Sequence, residues 1–127
     1  MIRLLPLAAL LAGCVPATLP TSTDIGPTRG AALFAEGCVG CHAADGTGGV
    51  GPDLTTISTR AGGQFPRDRV LAQIDGLGRH GDPDAVMPEF GAGDLGQTVI
   101  VEDGDGTATP IPADLLALAA YLRSIQR

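Results

Sequence analysis

The chain has 127 residues, a formal charge of −6 and eight basic residues, every one of them arginine. That length fits one small domain with appendages, and an acidic balance with no basic face excludes a nucleic-acid-binding protein. Only three Phe, one Tyr and no Trp are present, too few large rings to fill a full apolar core with side chains alone.

The N-terminus starts with the short basic stretch Met1-Ile2-Arg3, followed by an apolar run over residues 4–12. Nine residues are too few to span a bilayer, which takes about 20, so the segment reads as an export signal. It ends in Leu11-Ala12-Gly13-Cys14, which closely resembles the lipobox of bacterial lipoproteins. That resemblance implies a signal peptide over residues 1–13, cut before Cys14, and acyl chains on Cys14. Several chains on one residue anchor far more firmly than one. The alternative is an ordinary signal peptide that leaves Cys14 as a free or disulfide-linked thiol. Either way the protein is exported, and the lipobox reading places it in a bacterial cell envelope, facing the periplasm or the outside. Losing residues 1–13 removes Arg3 and leaves a charge of −7. Residues 14–27, rich in Pro and Thr with no periodic apolar face, read as the lipid anchor and a semi-extended tether.

The domain proper is expected over residues 28–127. Thr28 is a candidate cap for a first helix running through Glu36 into Cys38-Val39-Gly40-Cys41-His42. Two thiols two residues apart, followed at once by an imidazole, read as the attachment site of a c-type haem. One helical turn separates the thiols, so both reach the vinyl groups on one porphyrin edge, and His42 follows as proximal iron ligand. The motif resembles that of the class I cytochromes c. Two other readings of Cys38 and Cys41 are weaker. A thiol–disulfide pair lacks its βαβ context, and half a zinc site lacks a second Cys/His pair. A buried porphyrin also supplies the bulk that the scarce aromatics do not.

Further matches extend the resemblance over roughly residues 28–96 and 111–126. Gly30 and Phe34 share a helix face at i and i+4, where the family places its crossing with the last helix. Residues 43–54 are glycine-rich, but no strand precedes them and no GK[ST] follows, so they are not a phosphate loop. Gly51-Pro52-Asp53-Leu54 resembles the family's Gly-Pro-x-Leu. This implies that the Pro52 carbonyl accepts the Nδ1 proton of His42, fixing the tautomer that turns Nε2 to iron, and that Leu54 packs on the porphyrin. Residues 55–64 read as polar and irregular. Arg60 lies where a propionate partner is useful, with Arg67 and Arg69 as competitors.

Residues 66–77 read as a middle helix with Val70, Ile74 and Leu77 on one side and glycines at its end. Beyond it, Met87-Pro88 matches the family's distal methionine motif, 45 residues past His42. A soft thioether favours the ferrous state and raises the potential. The rival ligand is His80, the only other histidine, set in a glycine-flanked loop. Residues 97–110 depart from the minimal family pattern and read as an inserted β-hairpin turning at Asp103-Gly104-Asp105-Gly106. The run lacks the further ligands of a calcium loop. The last helix, over residues 112–126, carries Leu115, Leu118, Ala119 and Leu122 on one face, and Tyr121-Leu122 matches the family's aromatic–Leu pair.

The fold class expected is all-α: three main helices around a covalent haem, plus the hairpin before the last helix. The function implied is an electron-transfer protein carrying one electron on a single haem c at a membrane surface, and not an enzyme. Its partners are a redox protein donor and acceptor, not nucleic acid, and its lipid ties it to the membrane. The alternatives are a fixed cytochrome subunit of a larger dehydrogenase or oxidase, and a haem sensor or peroxidase in which Met87 leaves the iron. Cys38, Cys41, His42, Pro52, Leu54, Arg60 and Met87 are the expected haem-binding residues. His42 and Met87 are the iron ligands, and Cys14 is the lipidation site.

Overall fold

A computed structural model describes residues 18–79 and 81–127. The signal, Cys14 and His80 therefore lie outside the described residues. Among the described residues, five helices and one small antiparallel sheet follow in order: α1 (Pro27–Gly37), α2 (Val39–His42), α3 (Ile57–Arg60), α4 (Arg67–Asp75), β1 (Thr98–Glu102), β2 (Ala108–Pro112) and α5 (Ala113–Ser124). Among the described residues no helix is long and apolar enough to cross a membrane.

The frame is the crossing of α1 and α5. A Cβ on Gly30 would lie 1.9 Å from the Ala117 carbonyl oxygen, so only glycine lets the backbones meet there. Phe34 and Tyr121 pack beside the crossing with ring centroids 5.1 Å apart and planes tilted by 50°, a favourable aromatic arrangement. Phe34, Leu115, Leu118 and Leu122 join Val70, Leu71 and Ile74 of α4 in one buried cluster. The i, i+3, i+4 spacing read from the sequence therefore faces the core. Across the crossing, Arg29 forks onto Asp114 at 3.0 and 2.8 Å, holding the guanidinium above its usual range. Asp114 thus serves α5 twice, as an acid in its first turn and as an ion-pair partner.

Several boundaries differ from expectation. Thr28 does not cap α1: Gly26 occupies the cap position and Pro27 enters the first turn. Proline has no N–H to leave orphaned there and its φ is already helical. The segment expected to be irregular contains the short helix α3, held from outside by the C-terminus. Gln126 Oε1 accepts the Ser58 N–H at 2.8 Å, while its Nε2 donates to the Leu54 carbonyl at 2.8 Å. Such long-range capping is invisible to local periodicity. The middle helix stops at Asp75 because Gly76 takes φ +98°, a left-handed conformation suited to glycine.

The hairpin runs further than expected, with Thr98 opposite Pro112 and Glu102 opposite Ala108. Pro110 and Pro112 are two residues apart and so share one phase of the ladder, where neither has to donate. Ile111, between them, is buried in the core. The carbonyls of Leu95 and Gln97 accept the first N–H groups of α5, from Asp114 at 3.1 Å and Ala113 at 2.8 Å. At the turn, Asp103 accepts from Arg67 at 2.6 Å. The hairpin therefore contributes Ile111 to the core, and the carbonyls just before it cap a helix.

Candidate functional site

The α1–α2 junction sets the geometry. The Cys38 carbonyl accepts the N–H groups of Cys41 and His42 at 3.2 and 3.0 Å, a single helical turn that brings both thiols and the imidazole to one place. The two cysteines form no disulfide with each other; Cys38 is half-buried and Cys41 exposed. Burial, with a smaller contribution from Cys41, pushes the Cys38 thiol above its usual range. An attacking thiol in a disulfide exchanger needs the opposite shift.

His42 is buried, with 8% of its surface exposed, and its Nδ1 lies 2.9 Å from the Pro52 carbonyl oxygen. A carbonyl has no proton to give, so Nδ1 carries the hydrogen and Nε2 keeps its lone pair for a metal. The loop after His42 is shaped to make this bond. The Gly48 N–H donates to the His42 carbonyl at 3.0 Å, and the Gly51 N–H to the Cys41 carbonyl at 2.8 Å. A Cβ on Gly51 would stand 2.6 Å from His42 Cε1, so glycine there lets the backbone lie against the ring. Asp53 steadies the turn by accepting the Thr55 N–H and hydroxyl, both at 2.7 Å. These two bonds hold its carboxyl below the usual range.

Beyond His42 opens a cavity of about 480 Å³, within the ~300–1,000 Å³ of cofactor sites. It brings together all seven haem-binding residues expected from the sequence: Cys38, Cys41, His42, Pro52, Leu54, Arg60 and Met87. Its walls are mainly apolar, built by Ile57 of α3, Val70 and Ile74 of α4, and Leu118 and Leu122 of α5. Two guanidinium residues, Arg60 and Arg69, also line it. The third candidate, Arg67, is committed to Asp68 and Asp103 instead.

Met87 arrives on a loop pinned to the C-terminal end of α4. The Phe90 and Gly91 N–H groups donate to the carbonyls of Ile74 and Asp75 at 3.1 and 2.8 Å. A Cβ on Gly91 would stand 2.4 Å from an Asp75 carboxylate oxygen. Two side chains near Met87 were not singled out in the sequence. Gln73 Nε2 lies 3.6 Å from Met87 Sδ, and Arg79 Nη1 donates to the Met87 carbonyl at 2.6 Å. Gln73 sits three residues after Val70 on the cavity margin, where a polar residue reads as solvent-facing. Arg79 carried a weak signal, because cations just past a helix end bind its last carbonyls.

The residues present fit a porphyrin. The hollow is apolar, its nitrogen donor is already in the right tautomer, and a soft sulfur donor stands in the same cavity. Fold and site together define a c-type haem protein. Comparison with known protein families carries this a step further: residues 27–126 match Cytochrome c, and the chain belongs to the cytochrome c family. The chain is a several-helix cytochrome c domain with a small two-stranded antiparallel sheet. Its cofactor is a covalently bound c-type haem with iron, and its activity is haem-based electron transfer with redox partners. No curated protein matches the chain.

Proposed function

We propose that the chain is a single-haem electron carrier with His42 and Met87 as axial ligands, held at a membrane surface by lipid on Cys14. The observation that carries the reading is the convergence, in one apolar cavity, of Cys38, Cys41 and His42 with Met87. The haem supplies a one-electron ferric/ferrous couple. The protein's own residues do the rest. Cys38 and Cys41 form the two thioethers, and His42 presents Nε2 while Pro52 holds the Nδ1 proton. Leu54, Ile57, Val70 and Ile74 keep water from the ring, which limits the reorganisation that accompanies each change of charge. Arg60 and Arg69 provide positive charge for the propionates.

With two protein ligands on the iron no position is open to a substrate, which makes this a carrier rather than an enzyme. Residues 1–13 are the signal peptide, 14–27 the lipid anchor and tether, and 28–127 the haem domain, in a bacterial envelope facing the periplasm or outside. The fixed-subunit reading uses the same site and draws support from one feature, the 62% exposed Ile100 on the outer side of the hairpin. Co-purification of a larger complex in mild detergent distinguishes it from a free shuttle.

The test is haem retention under denaturing conditions. Wild type and Met87→Ala keep the haem on the chain, and the double variant Cys38→Ala/Cys41→Ala loses it. Met87→Ala also lowers the reduction potential and opens the iron to carbon monoxide. Covalent haem in the double cysteine variant, or an unchanged potential in Met87→Ala, contradicts the assignment. Cys14→Ser moves the protein from the membrane fraction to the soluble one if the lipid reading holds.

A further inference from the structure

A single guanidinium links the two residues that meet at the Met87 sulfur. Arg79 donates through Nη1 to the Met87 carbonyl at 2.6 Å and through Nη2 to the carbonyl of Gln73. Gln73 in turn offers its side-chain amide to Met87 Sδ at 3.6 Å. The three residues come from α4, the turn after it and the distal loop, so this closed triangle joins the loop to the helix at its middle. The bonds from Phe90 and Gly91 to α4 join it only at its far end.

We propose that Gln73 and Arg79 are the positioning pair of the Met87 thioether: Arg79 fixes where the sulfur stands, and Gln73 fixes how it is turned and how strongly it donates. The proposal rests on the reading of Met87 as an iron ligand. A thioether sulfur has two lone pairs and is a weak acceptor. With one pair given to iron, the Gln73 amide can take the other, which selects one of the two faces the sulfur can present. A donor on that second pair draws electron density from the ligand, so it disfavours the ferric state and raises the potential. The guanidinium works differently. Among the described residues it donates to the carbonyls of Met87 and Gln73, and its planar fork holds both in one geometry, which a lysine ammonium cannot reproduce.

The two roles separate in measurement. The test uses the full haem-loaded protein, and neither side chain lies in the main buried cluster, so the variants fold. Gln73→Leu shifts the potential downward by an amount equal to about a two- to fivefold change in the ferric/ferrous ratio, with imidazole affinity of the ferric form changed less than the potential. Arg79→Ala loosens the loop, and free imidazole displaces Met87 with about tenfold higher affinity. Arg79→Lys keeps the charge but not the fork, so its imidazole affinity resembles that of Arg79→Ala. Full recovery in Arg79→Lys overturns the fork and leaves only a charge effect. Potentials and imidazole affinities within a factor of 1.5 of wild type (below the ~2-fold that one weak hydrogen bond is worth) in Gln73→Leu and Arg79→Ala overturn the pair altogether. Met87→Ala is measured alongside. If it leaves both quantities unchanged, the ligand assignment itself falls. If it changes both while the Gln73 and Arg79 variants do not, only the positioning proposal falls.

Discussion

Replacing Gly51 with alanine tests how the proximal side is built. The new Cβ would stand 2.6 Å from His42 Cε1, 2.8 Å from Nδ1 and 3.1 Å from Nε2. Carbon atoms pack best at about 3.5–4.0 Å, so the ring or the loop has to give way by about 1 Å. The Nδ1–Pro52 bond of 2.9 Å does not survive that displacement, since hydrogen bonds fade beyond about 3.2 Å. Overpacking costs about 1–3 kcal/mol and the lost bond about 1 kcal/mol more. The sum, about 2–4 kcal/mol, lowers the melting temperature by roughly 10–20 °C for a domain of this size. Losing the bond also makes His42 a weaker donor, so the reduction potential rises. Gly40→Ala is the control: it lies inside the same CxxCH, in α2, and its Cβ meets nothing within 4 Å. It is neutral or slightly stabilising. Thermal melts followed by circular dichroism, with redox titrations of both variants, decide the matter. Gly51→Ala melting alongside Gly40→Ala at an unchanged potential refutes the reasoning.

Three further outcomes follow from the same geometry. Gly30→Ala sets a methyl against backbone, 1.9 Å from the Ala117 oxygen, so the α1–α5 crossing opens and stability falls by about 3 kcal/mol or more; a melting point within a few degrees of wild type contradicts the close crossing. Ala43 has φ 60° and ψ 162° just after His42, a region that suits glycine and costs another residue about 1–3 kcal/mol. Ala43→Gly therefore raises stability by about 1 kcal/mol after glycine's own entropy cost, and a lower denaturation midpoint counts against this. Because the Thr55 hydroxyl and N–H hold the Asp53 carboxyl below its ordinary value, its contribution is present above the unfolded value of about 3.9. It is lost as pH falls through the folded one. The stability gap between wild type and Asp53→Asn is thus constant near neutrality and narrows below about pH 4; a gap that stays flat into acid removes the linkage.

How far the sequence could be read depended on the range of each interaction. The α5 face was legible because Leu115, Leu118 and Leu122 repeat with the helix and lie in the buried cluster. Cys38, Cys41 and His42 were legible because their spacing is itself the geometry of one turn. The existence of the hairpin was readable from alternation around Asp103-Gly104-Asp105-Gly106, but its purpose was not. Capping of α5 by the Leu95 and Gln97 carbonyls is a property of backbone brought back by the fold. Helix α3 was not legible because Gln126, 68 residues from Ser58, satisfies one of the N–H groups of its first turn. Nor were Gln73 and Arg79, because each looks like an ordinary surface residue until the loop folds back over α4. The choice among three arginines for the cavity was likewise undecidable from spacing. It turned on Asp103, which engages Arg67 at 2.6 Å across 36 residues.

The central claim is that one imidazole and one thioether of this chain share the iron, and the methyl group of Met87 reports on it directly. With methionine labelled at the methyl carbon, the diamagnetic reduced protein should show the Met87 methyl far upfield, driven there by the ring current of a porphyrin directly beneath it. A Met87 methyl at the ordinary position of a free side chain, in a protein that still carries its covalent haem, would contradict the account.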